Sequence, residues 1–115
     1  MEVVKKFLAA QDVLTVEDIE TVVVDVPEWG GSIRLRALNG EEAIEFAESI
    51  KGDSKSASAR IVVRCAVDEN GLRIFKDADV DTLKKKSMKS LMRLQKVAMQ
   101  INGLTEEETV KVKED

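Results

Sequence analysis

The chain has 115 residues, 43% hydrophobic and 35% charged, with 22 acids against 18 bases and a net charge of -4. That length predicts one domain, able to bury about 65% of its unfolded surface without metals or disulfides, and the composition excludes a disordered chain. An acidic balance argues against nucleic-acid binding held by net charge. The absence of histidine excludes Ser-His and Cys-His nucleophile systems and histidine-bearing zinc sites.

Residues 1–20 are read as an N-terminal arm or short helix. Val3, Val4, Phe7 and Leu8 have helical spacing within Met1–Gln11, and residues 12–20 form an acidic connector. The remainder, 21–115, is expected to be a single α+β domain ending in a frayed acidic tail. No apolar run reaches the length of a signal peptide core or a membrane span.

Thr21–Val26 (TVVVDV) is β-branched and reads as a strand. Pro27-Glu28-Trp29-Gly30-Gly31 is a turn, because proline cannot donate to a ladder and glycine tolerates positive φ. Ser32–Leu38 follows with period two: Ile33, Leu35 and Ala37 on one face, Arg34 and Arg36 on the other. The pair is a β-hairpin.

Asn39 with Glu42 has the spacing of a capping box, which starts a helix from Gly40 to about Lys51. Ala43, Ile44, Ala47 and Ile50 form its expected buried stripe, with Phe46 flanking it and Glu41, Glu45 and Glu48 facing solvent. After a polar loop, Ala57–Val67 fits either a strand or a helix. The helix is preferred, because Arg60, Arg64 and Asp68 then make one polar line and Ala59, Val62, Val63, Ala66 and Val67 share the buried side.

Leu72–Phe75 reads as a short extended piece. Asp77 is expected to cap a helix from Ala78 to Lys86, acidic early and basic late, as the helix dipole favours. Ser87 caps the next helix, Met88 to about Ile101, which Asn102-Gly103 stops. Thr105 with Glu108 marks a further short helix. In all, the hairpin is expected to pack with four to five helices.

Candidate chemistry is sparse. If Gly71 takes the sixth place of a calcium loop, Ala66 falls where a carboxylate is needed, so Asp68–Gly71 reads as a turn. Cys65, the only cysteine, lies in an apolar segment and reads as a buried, inert thiol. Gly30-Gly31 opens a strand and so is not a phosphate loop. No metal or cofactor is expected, and no nucleophile–base set marks an enzyme.

The informative features are surfaces. Charge is polarised along the chain: residues 1–30 carry -5 and residues 73–96 carry +5. Lys84, Lys85 and Lys86 precede Lys89, Arg93 and Lys96, which share a helical face with Gln100. Apolar residues of the Met88–Leu104 segment cover more arc than one buried side requires, and Met88, Met92 and Met99 are three of the four methionines. A central core helix and a partner-binding helix both fit that pattern. Trp29, at the hairpin turn, is either an exposed anchor or folded back on the sheet. The candidate partner-binding set is therefore Trp29, Met88, Met92, Met99, Lys89, Arg93 and Lys96.

Val26–Gly31 (VPEWGG) with Arg34–Leu38 resembles the tail assembly chaperones of long-tailed bacteriophages. The resemblance extends to Phe7–Ala10, Val67–Gly71, Ile74-Phe75, Asp77–Val80, Lys86-Ser87, Leu91–Leu94 and Asn102–Leu104, in one order over most of the chain. It implies a small α+β protein without catalytic residues that self-associates and works in the host cytoplasm. It implies binding to the tape-measure protein, which it keeps soluble, recruitment of tail-tube subunits, and absence from the finished virion. A longer product made by ribosomal frameshifting is also a family habit. A structural tail component, such as a terminator or connector subunit, and a small nucleic-acid-binding regulator are the alternatives.

Overall fold

The computed structural model describes residues 6–104. They form an α+β fold: a three-stranded antiparallel sheet ordered β1-β2-β3, with helices against one face. The hairpin is as expected. β1 (Thr21–Val26) pairs with β2 (Gly31–Arg36) in a register that sets Val24 opposite Ile33 and Val26 opposite Gly31. Val24, Val26, Leu35 and Ala37 point to the core, while Val23 and Asp25 face outward. Pro27–Trp29 makes one 3-10 turn, which Gly30 closes at φ +78, donating its N–H to the Pro27 carbonyl at 3.0 Å. A side chain at Gly30 would be strained at that φ.

The N-terminal helix is displaced from its expected place. α1 spans Ala10–Thr15, inside the segment read partly as connector. It starts there because the Asp12 carboxylate accepts the Ala9 N–H at 2.9 Å, satisfying one orphan donor of the first turn. Val3 and Val4 lie outside the described residues, as does the Thr105–Glu108 capping box.

α2 spans Gly40–Ser49 and opens with the expected reciprocal cap: Glu42 N–H to Asn39 Oδ1 and Asn39 N–H to Glu42 Oε1, both 2.9 Å. Its buried face is not the one expected. Ala43, Ile44 and Ala47 are not buried, Ile50 is half-buried, and only Phe46 is buried. The reason lies in α3 (Ala57–Cys65), which fills the space against the sheet. α3 packs on α5, α4, α2 and β2, so Ile61 and Cys65 are buried together with Ala59, Val62 and Val63. The helix is the form preferred for this segment, but it ends at Cys65. Ala66–Val67 then form β3, pairing with Leu35 and Arg34 of β2. Asp68 Oδ1 accepts the N–H groups of Asn70 and Leu72, so Asp68–Gly71 is the expected turn.

The helix expected over Ala78–Lys86 is shorter. A 3-10 turn (Asp77–Asp79) leads into α4 (Val80–Leu83). Asp77 does not cap it, because Arg73 holds that carboxylate at 2.8 Å. Asp79 instead accepts the Lys76 N–H at 2.8 Å. The three lysines 84–86 therefore lie in a turn. α5 (Met88–Ile101) has its expected limits, with Ser87 Oγ accepting the Ser90 N–H at 3.3 Å and Gly103 turning the chain at φ +69.

Asn102 does more than stop α5. Its Oδ1 accepts the Leu38 N–H at 2.7 Å, and its Nδ2 donates to the Ala98 carbonyl at 2.7 Å and to Cys65 Sγ at 3.6 Å. It joins α5, α3 and the segment after β2. Asn102→Ala leaves the Leu38 donor without a partner and is expected to cost about 1–3 kcal/mol. A urea midpoint within error of the parent protein would contradict this.

Candidate methionine-lined face of α5

α5 sends Leu91, Leu94, Ala98 and Ser90 into the core. At 3.6 residues per turn, Met88, Met99 and Met92 fall within about 40° of arc on a neighbouring face, with Lys96 and Lys89 beside them. Met88 is 78% and Met92 51% exposed, Met99 is half-buried, and Lys89 and Lys96 are not buried. This is a methionine stripe with a cationic border.

The stripe opens into a groove at each end. Near the N-terminus of α5, Met88, Leu91 and Met92 meet Ala59 and Ser58 of α3, with Lys55, Lys84 and Lys86 at the rim, enclosing about 410 Å³. Near the C-terminus, Met99 and Leu104 meet Ala43, Phe46 and Ala47 of α2 and Ile50 just after it in a groove of about 440 Å³. The alanines assigned to the core by periodicity are thus the floor of an apolar surface. Ile44, beside them on α2, is 66% exposed.

The clamp that orients this face is Glu28. Its carboxylate accepts from Ser90 Oγ and from Arg93 Nη1, each at 3.0 Å. Arg93 is therefore engaged within the chain, which leaves Lys89 and Lys96 as the cations of the candidate set on α5 that border the stripe. The Arg93 guanidinium, and after it the turn backbone and Ser90, hold the Glu28 carboxyl below its usual 4.5. Trp29 folds back: it is half-buried against the core and borders a shallow groove with Phe75, Leu83 and Lys86. Lys86 is common to that groove and the methionine groove, so Trp29 sits one side chain away from the stripe.

Reactive chemistry is blocked at the two places that resemble it. Lys84 Nζ lies 3.2 Å from Ser56 Oγ, but Ser56 is 1% exposed and donates to Asp53 at 3.1 Å, so no substrate can meet it. Burial pushes the Cys65 thiol up to about 11, which keeps it protonated and inert. Among the described residues no group of three metal-ligating side chains occurs, and no helix is long and apolar enough to cross a membrane.

Sequence reasoning found the methionines and lysines of α5 but missed Lys55, Lys84 and Lys86 as a rim, the α2 alanines as surface, and Glu28 as the clamp. A glutamate in a turn carries no local mark of a partner more than sixty residues away.

The fold is that of a phage tail assembly chaperone. The solved structure titled as the bacteriophage HK97 tail assembly chaperone superimposes with a TM-score of 0.60 at 20% sequence identity, covering 79% of this chain and 90% of that one. No family model and no curated protein matches the sequence.

The Glu28 clamp gives a signed pH dependence. A carboxyl lowered by folding contributes stability that is present above its usual 4.5 and is lost as pH falls through the lower folded value. Glu28→Gln removes this part of the acid sensitivity. Between about pH 5 and pH 3 the urea midpoint, followed by Trp29 fluorescence, is expected to fall more steeply in the parent than in E28Q. Parallel curves would contradict the clamp.

Proposed function

We propose that this protein is a non-catalytic tail assembly chaperone of a long-tailed phage or prophage. It binds the tape-measure protein and keeps it soluble in the host cytoplasm, and it helps recruit tail-tube subunits, several copies acting along one client. It does not remain in the mature virion. The fold likeness to the HK97 chaperone supports the class. The observation that carries the mechanism is the exposed stripe of Met88 and Met92 with Lys89 and Lys96 beside it.

The stripe grips adaptably. An elongated amphipathic client presents many similar but unequal apolar segments. Unbranched, polarizable methionine side chains re-pack against varied shapes without a fixed pocket. Burying one such side chain contributes about 1.5–3 kcal/mol, so several copies hold a client that one copy would release. The lysine border adds attraction to acidic stretches and sets orientation.

The direct experiment is co-expression with a fragment of the tape-measure protein encoded in the same tail operon. The fragment is expected to stay soluble and to co-purify with this chain. Precipitation to the same extent with and without it would refute the reading. Met92→Lys is expected to lower capture at least about tenfold, as one methionine's burial implies, while the circular dichroism spectrum stays that of the folded parent. Full capture by the folded variant would remove the stripe from the mechanism.

A further inference from the structure

Residues 7–20 are an anomaly in this fold. Phe7 is 90% exposed, Leu8 63%, Val13 54%, Leu14 79% and Val16 59%. The same stretch holds four acids (Asp12, Glu17, Asp18 and Glu20) and no base. α1 buries none of its six residues. An isolated helix below about 12–15 residues is marginal in water, so a turn with this much apolar surface gains its order from packing on something.

We propose that this arm docks into the lysine-rimmed methionine groove of a second copy of the chain, occupying the surface that a client takes. The inference rests on the reading of that groove as the client site and adds to it a built-in competitor. Charge complementarity selects the occupant. An acidic, apolar segment meets apolar Met88, Met92 and Leu91 ringed by Lys55, Lys84 and Lys86. The other apolar groove, between α2 and the C-terminal end of α5, has no lysine or arginine in its lining to meet the arm's acids.

The arm lines no part of its own groove, and the topology sets the two apart. Glu20 is tied by its carbonyl to the Ala37 N–H at 2.8 Å, beside Leu38, which Asn102 holds at the C-terminal end of α5. The other end of β1 runs into the turn whose Glu28 holds Ser90, near the N-terminus of α5. β1 and α5 therefore run in opposite directions, and the arm leaves the body at the end of α5 farthest from its own groove, about 21 Å along a 14-residue helix. Arm and groove sit at opposite ends of one copy. Their pairing is heterologous and adds copies in one direction, and a client that fills the groove displaces the arm.

The test is site-specific cross-linking of full-length chains with no client present. Leu14→Cys and Met92→Cys are made in separate chains, with the buried Cys65 replaced by alanine, mixed, and treated with a short bismaleimide. A two-chain product joining position 14 of one variant to position 92 of the other, identified by mass, is expected. Adding Lys86→Glu to the Met92→Cys chain is expected to lower its yield at least about fivefold, and Glu17→Lys in the Leu14→Cys chain to restore it. Cross-linking only between two Leu14→Cys chains, only within one chain carrying both substitutions at high dilution, or not at all would overturn the proposal. Client capture is scored separately. Loss of the cross-link with capture intact refutes the arm alone, and capture failing with the cross-link intact refutes the client reading alone.

Discussion

Helix α5 is held at both ends, to the hairpin turn and to the segment after β2, and together these contacts fix its rotation about its own axis. At one end the Glu28 carboxylate takes Ser90 and Arg93; at the other the Asn102 amide takes the Leu38 N–H and reaches Cys65. Between them Leu91, Leu94 and Ala98 lock into the core. A single clamp would let the helix roll. With two, the methionines have only one direction left, which is outward. The exposure of Met88 and Met92 thus follows from polar contacts made by other residues.

That arrangement explains how a small domain can be stable and still present apolar surface. α3 is buried on nearly every side and carries the core, so α2 and α5 each have a face to spare. Those spare faces converge on one stripe, ending in two grooves of unlike character, one rimmed by lysines and one lined by alanine, leucine and phenylalanine. Of the polar groups that resemble a reactive pair, Ser56 is sealed, and the exposed Lys84 reaches its hydroxyl and braces the loop before α3.

Much of the fold was legible because its signals are local. The Asn39–Glu42 box, the Ser87 cap, the proline-glycine turn and the β-branched strand each depend on residues within a few positions. The methionine stripe was legible for the same reason, since helical spacing places Met88, Met92 and Met99 together. What escaped is long-range. The Ala43-Ile44-Ala47-Ile50 stripe has the period of a core face, and only the bulk of α3 decides that most of it meets solvent. Asp77 has the form of a cap, and only Arg73 diverts it. Glu28, Arg93 and Asn102 look like surface or stop residues until the chain brings their partners near.

The central claim is that α5 turns Met88 and Met92 to solvent while its other side is sealed in the core. Methyl NMR of the full chain with labelled methionines reads this directly. A soluble paramagnetic agent is expected to broaden the Met88 and Met92 methyl signals strongly and Met99 less. Adding a tape-measure fragment is expected to protect all three. Sharp Met88 and Met92 signals in the presence of the agent would show those side chains to be buried, and the account of α5 would be wrong.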